Sequence, residues 1–473
     1  MLLRRLFDDK LAQASYLIAC EHNKVALIVD PNRDIQQYID AAARDNVQII
    51  AITETHIHAD YVSGSRELAR KTGARLYLSG EGGPEWQYEF ATEAGATLLC
   101  DGMQFTVGDV RIEAVHTPGH TPEHMTFLVT DTAVGNEPMG ALTGDFIFVG
   151  DVGRPDLLER AAGFAGTMEA GARELFKSLT EFKNRPDYLQ IWPGHGAGSA
   201  CGKALGAMPQ STLGYERLFN WALLIDDEEE FVQEVLSGQP EPPKYFARMK
   251  HVNRVGPADA PRDVPPAVDV SRIKSALNEN ATVIDVRATQ EFGKAHAKGT
   301  INIPRTKSFL TWAGALAPYD QDILIIGDAS DAGRASLAQD LSLIGIERIA
   351  GVFPAESIGE LFSEGVESQS VSSTATDAVK SNGSHVILDV RKRSEYDEGH
   401  IPNALNIPLA ELPDRITEIP EGDLVVHCQG GSRSAIAASI LQLHGRNDVS
   451  NMSGGFTEWA RSGNRIERNN GDD

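Results

Sequence analysis

The stretch THIHADYVSG (55–64) leaves the apolar run VQIIAIT (47–53) and sets His56, His58 and Asp60 at alternate positions. Alternate residues leaving a strand end can converge on one point when the loop curls, so H-x-H-x-D supplies several metal donors at once. Three further motifs follow: His120 in TPGHT (117–121), Asp145 in LTGD (142–145) and His195 in WPGHG (192–196). Each comes after an apolar run and sits beside Gly or Pro, the makings of a rigid loop at a sheet edge. A single histidine is more often a surface residue than a ligand. Six His and Asp positions in the same local setting reverse that, and the constellation reads as a metal site.

Around these motifs, VALIVD (25–30) and VQIIAIT read as buried strands and DIQQYIDAAARDN between them as a helix. FTVGDVRIEAVHT (105–117), MTFLVT (125–130) and ALTGDFIFVGD (141–151) also read as strands. The alternation indicates layered α/β architecture. A proline-rich stretch, roughly 238–267, looks like a domain connection. Beyond it the chain repeats itself: ATVIDVRATQEFGKAHAKGTINIP (281–304) matches SHVILDVRKRSEYDEGHIPNALNIP (384–408). Two tandem α/β units of about 100 residues are the simplest account.

Composition narrows the function. A length of 473 residues suggests about three domains. Hydrophobic residues at 41% and charged residues at 23% are ordinary for a globular protein, so disorder is not the default reading. A net charge of −24 argues against a nucleic-acid partner, because phosphates would be repelled. No stretch suits a signal peptide or reaches the roughly 20 apolar residues of a membrane helix, so no membrane association is expected. Four cysteines (Cys20, Cys100, Cys201, Cys428) make no disulfide framework, which points to a reducing cytoplasm.

The set HIHAD, TPGHT, GD and PGH resembles the metallo-β-lactamase superfamily, whose fold is an αβ/βα sandwich with metal at the sheet edges. Binuclear hydrolases of the glyoxalase II type carry H-x-H-x-D-H; here Tyr61 stands last, and a phenol is a poor substitute for imidazole. GDFIFVGDVGRPDL (144–157) resembles the persulfide dioxygenases of the superfamily. That resemblance implies one Fe(II) per chain, with its ligands on His56, His120 and Asp145, a facial triad leaving three positions of the ion open. It implies that His58, Asp60, Tyr61 and His195 orient ligands or bound water, and that Arg154 lies beside the substrate. His116 and His124 match no ligand and read as hydrogen-bonding or surface residues. Cys201 reads either as a neighbour of the metal or as a small buried residue.

In DLVVHCQGGSRSAIAASILQLHG (423–445) a strand runs into Cys428, then a Gly-rich turn, then a helix. Backbone N–H groups turned inward there, backed by a helix N-terminus, favour the attacking thiolate. Arg433 adds positive charge and helps hold the loop. With DVR (389–391), GHIPNALNIP (399–408) and GGFTEW (454–459), the unit resembles rhodaneses, three-layer α/β/α sulfurtransferases. The resemblance implies that Cys428 carries a persulfide and that Gln429, Gly430, Gly431 and Ser432 line its substrate site. In the first repeat DILII ends in GDASDAGRA with Asp328 near the thiol position, and a carboxylate cannot accept a sulfane sulfur.

The expected organisation is a metallo-β-lactamase-fold domain (1–245), a connection (246–267), an inactive rhodanese-like domain (268–368) and an active one (369–473). The order resembles persulfide dioxygenase–rhodanese fusions. It implies oxidation of a small-molecule persulfide (of glutathione, coenzyme A, cysteine or bacillithiol) by O2 to sulfite and thiol, then sulfur transfer from Cys428 to give thiosulfate. The same resemblance suggests a homodimer or homotetramer. The alternatives are a binuclear zinc thioester hydrolase with a sulfur-carrier tail, and a docking or sulfur-relay protein with a vestigial first domain.

Overall fold

The computed structural model describes residues 1–160, 166–203, 205–381 and 385–469. It divides into two compact units, Met1–Pro261 with Ser342–Gly345, and Arg262–Leu341 with Ile346–Asp473.

The first unit is built on two six-stranded sheets. One takes its strands in chain order: Leu2–Asp8, Gln13–Cys20, Val25–Val29, Gln48–Thr53, Arg75–Ser79 and Thr97–Leu99. The other runs in reverse order from Ser211–Thr212 through Gln190–Pro193, Gly140–Gly144, Met125–Asp131 and Val110–His116 to Gln104–Val107. Successive side chains of a strand point to opposite faces, and the second strand shows the consequence. Tyr16 and Ile18 join Leu27, Ile112, Phe127, Leu142 and Trp192 in the core between the sheets. Leu17 and Ala19 instead meet Tyr38, Ala41 and Leu68 of the helices outside. The second sheet repeats the arrangement, with Leu128, Ala141 and Ile191 against Leu175, Leu179 and Phe231. Helix, sheet, sheet, helix is the αβ/βα sandwich, and strands buried on both faces explain the unbroken apolar runs.

Three local expectations change. FTVGDVRIEAVHT is a hairpin, Gln104–Val107 and Val110–His116, because Gly108 takes φ 62° at the turn. ALTGDFIFVGD is a strand only to Gly144; the buried loop after it carries Asp145. Within the stretch read as a connection, Phe246–Val255 is a helix of the first unit, since Phe246, Met249 and Asn253 are buried.

In the second unit the parallel strand order Thr300–Asn302, Val283–Asp285, Ile323–Gly327, Ile349–Pro354 recurs as Leu405–Asn406, Val386–Asp389, Leu424–His427, Val449–Met452. The later sheet adds Ser372–Thr374 at its edge. Helix Ser432–Leu443 is buried nearly throughout behind the Cys428 strand. The two copies share one unit because Ile301, Trp312 and Leu316 of the first pack against the core of the second. Among the described residues, no helix is long and apolar enough to cross a membrane.

Candidate metal centre and sulfur-transfer loop

Loops at one end of the sandwich bring His56, His120 and Asp145 together, each buried, with one donor atom apiece within 4.8 Å of the others. The nearer Asp145 oxygen, Oδ2, lies 4.0 Å from His56 Nε2 and 3.6 Å from His120 Nε2. The other nitrogen of each ring is tied. Thr55 donates its hydroxyl to Asp30 Oδ2 (2.9 Å), so toward His56 Nδ1 (3.0 Å) it accepts. His120 Nδ1 donates to the Arg154 carbonyl (3.0 Å). Both Nε2 lone pairs therefore face Asp145. Burial first, then the neighbouring imidazoles, hold His56 well below its ordinary pKa; burial lowers His120 as well. Neutral rings are the form a metal takes.

Neither Asp145 oxygen has a well-formed hydrogen bond, although the residue is 1% exposed. Burying an unpartnered carboxylate costs several kcal/mol, and a cation between it and two imidazoles removes that cost. The donor set fits a divalent ion.

His58 points elsewhere. Its Nε2 lies 3.1 Å from Asp30 Oδ1, and its ring falls outside the converging triad. Burial alone would favour the neutral ring, but Asp30, then Glu54 and Asp60, hold its pKa up at about 9. Tyr61 stacks on it at 4.5 Å and donates its hydroxyl to the Asp30 carbonyl (3.4 Å). His195 donates Nδ1–H to the Ala12 carbonyl (3.1 Å), leaving Nε2 at 3.3 Å from Asp60 and 3.5 Å from Asp145 Oδ1. Asp60, His195 and Cys201 form a second buried group of converging donors. Burial, then the carboxylates of Asp145 and Asp60, push the Cys201 thiol well above its ordinary value. It approaches Asp145 without meeting hydrogen-bond geometry. His124 accepts the Asp145 backbone N–H (3.2 Å) and His116 contacts the Pro122 carbonyl (2.7 Å), both as hydrogen-bonding residues.

Arg154 departs from expectation. It is fully buried and its fork is already taken by Asp156 (2.8 and 2.7 Å), with a third bond to the Ala200 carbonyl (3.1 Å). Its Nε–Nη2 edge is thus committed to Asp156 in a fully buried pair, and not presented to a substrate carboxylate. Arg154→Met is expected to destabilise the fold by roughly 3 kcal/mol, as breaking a buried pair does, read as a lowered denaturant midpoint. A raised KM with unchanged stability would restore the substrate role.

Asp30 and Thr55 were not legible as site residues. Asp30 directly follows the strand Val25–Val29 at φ 52°, a backbone state few residues adopt, and that is visible only in the fold.

In the second unit Cys428 is buried at the end of strand Leu424–His427. Its Sγ accepts the Gly431 N–H (3.0 Å) and faces the Ser434 hydroxyl (3.4 Å). Gln429, Gly430 and Ser432 are exposed at the mouth of the loop. Arg433 forms a bidentate pair with Glu395 (2.5 and 2.8 Å), which also accepts the Lys392 N–H and so ties the loop to helix Arg393–Glu398. Arg391, paired with Asp389, lies over the Phe456 ring at 4.0 Å. In the first copy Asp328 accepts the Ser330 N–H (2.9 Å), so a carboxylate occupies the start of the corresponding loop.

A sandwich of two six-stranded sheets with His and Asp donors at its edge, followed by two parallel α/β copies, defines a metallo-β-lactamase-type domain joined to rhodanese-type domains. Comparison with known proteins agrees: residues 8–195 match the metallo-beta-lactamase superfamily, and 269–352 and 374–462 each match the rhodanese-like domain. The structure of a metallo-beta-lactamase from Staphylococcus aureus subsp. aureus COL is 43% identical with a TM-score of 0.69, covering 75% of this chain and 99% of that one. The chain belongs to the metallo-beta-lactamase superfamily, with two rhodanese-like domains in its C-terminal part. A "probable polyketide biosynthesis zinc-dependent hydrolase" of Bacillus velezensis is 26% identical over 218 residues, 46% of this chain and 84% of that protein. A sulfurtransferase of Allochromatium vinosum is 39% identical over 79 residues, 16% of this chain and 74% of that protein.

Proposed function

We propose that the first unit is a ferrous persulfide dioxygenase and that Cys428 is its partner sulfurtransferase. The observation that carries the reading is the unpartnered Asp145 carboxylate facing two neutral imidazoles, while His58 is held by Asp30 and Tyr61 replaces a sixth ligand. His56, His120 and Asp145 would hold Fe(II), whose redox chemistry makes O2 reactive toward a sulfur. A persulfide, O2 and water then give sulfite and free thiol. The chain's own part is orientation: Thr55 and the Arg154 carbonyl fix the two rings, and Cys201, kept a thiol by burial, is placed to meet a substrate sulfur. At Cys428 the thiolate takes the outer sulfur of a second persulfide and releases that thiol, the loop N–H groups steady the cysteine persulfide so formed, and sulfite removes its outer sulfur to give thiosulfate and the free Cys428. Arg433, locked by Glu395, holds that loop in shape.

A second reading rests on Asp60, His195 and Cys201, whose convergence beside Asp145 is what a second ion requires; the Nδ1 of His58 also lacks a partner. With two zinc ions the site suits hydrolysis of a thioester, and the zinc-dependent relative favours it. Metal analysis of the purified protein separates the two. About one iron per chain is expected; two zinc per chain, with thioester hydrolysis and no O2 uptake, would overturn the proposal.

A further inference from the structure

Helix Phe246–Val255 lies outside every span matched to a known family, yet it reaches the first ligand loop. Asn253, 1% exposed, donates Nδ2 to the carbonyls of His58 and Tyr61, both at 2.7 Å, and accepts the Ser63 N–H at 2.9 Å. That loop is irregular and buried, so its backbone groups have no ladder to satisfy them. A side-chain amide offers two donors and one acceptor, and here all three meet loop backbone.

One turn earlier on the helix, Lys250 lies 3.2 Å from the centroid of the Trp86 ring, and its charge attracts Glu123. Glu123, three residues past His120, accepts the Ile57 N–H (2.8 Å) between His56 and His58. The helix therefore acts on the first ligand-bearing loop twice: directly on His58–Ser63, and through Glu123 on the backbone beside His56. Neither arm touches the donor atoms themselves.

We propose that Asn253 is a positioning residue for the metal centre, holding the His56–Ser63 loop in its metal-ready shape, with Lys250 bracing the same loop through Glu123. This rests on the metal-site reading above, and it assigns a role to a segment beyond the matched catalytic fold. Outer groups that orient ligands typically contribute about 10–100-fold to metal affinity. Asn253→Asp is the sharpest probe, because it keeps the size and sets a carboxylate oxygen, not a donor, against two carbonyls.

The test uses the full chain, stripped of metal and titrated with Co2+ against a competing chelator, with the visible absorption of the bound ion recorded at saturation. The dissociation constant is expected to rise about 10–100-fold in Asn253→Asp. The absorption spectrum of the saturated variant is expected to change, which lost stability alone would not cause. Asn253→Ser, retaining one donor and one acceptor, should fall between, and it serves by the same criterion if Asn253→Asp fails to fold. His251→Ala, on the exposed face of the same helix, should leave both readings unchanged. Wild-type affinity and spectrum in the folded Asn253 variants would overturn the inference while leaving the site intact. Failure of the unaltered chain to bind Co2+ would instead overturn the metal reading.

Discussion

Asp145→Ala is expected to abolish O2 uptake with a persulfide, by roughly a thousandfold or more, because it removes the carboxylate facing both the His56 and His120 Nε2 atoms. Two imidazoles alone make a poor site for a hard ferrous ion, so iron content should fall with the rate. The metal-free protein should not lose stability. Its unpartnered carboxylate is a charge buried without compensation, and removing it relieves that cost. A metal-free melting temperature equal to or above that of the unaltered chain, combined with lost iron, would identify Asp145 as a residue kept for the ion and not for the fold. Retained turnover would contradict the assignment.

The second large effect belongs to Cys428. A serine hydroxyl has the size of the thiol but neither its nucleophilicity toward sulfur nor its capacity to carry a persulfide. Cys428→Ser should therefore lose sulfur transfer by roughly a thousandfold while O2 uptake persists, and sulfite should accumulate where thiosulfate formed before. Since Gly431 N–H and Ser434 hydroxyl can both donate to an oxygen as well as to sulfur, the loop should keep its shape and the protein its melting temperature. Undiminished thiosulfate would show that sulfur reaches sulfite by another route. Loss of O2 uptake in the same variant would mean that the thiol serves the oxidation itself.

Much of this site could be read from short windows of chain. His56, His120 and Asp145 each sit in a motif whose meaning is local: a strand end, a Gly or Pro, a donor. The Cys428 loop is equally local, a strand followed by glycines and a helix. Arg154 shows where such reading stops. An arginine in GRPD suits a substrate clamp and a buried pair equally well, and the choice fell to Asp156 two residues on and the Ala200 carbonyl 46 residues away. The apolar run FIFVGD misled for a related reason. Burial in a loop against packed helices makes the same hydrophobic pattern as a central strand.

By itself the sequence determined the four sheet-edge motifs, the tandem copies and which copy holds a cysteine in its loop, because strand ends, turns and donor types are set within a few residues. Only the tertiary structure decided that His58 turns to Asp30, that Cys201 faces Asp60 and His195, and that Asn253 holds the loop of His58 from 195 positions further along. A buried polar group takes whichever partner packing brings within about 3 Å, and that choice is made by the whole fold at once.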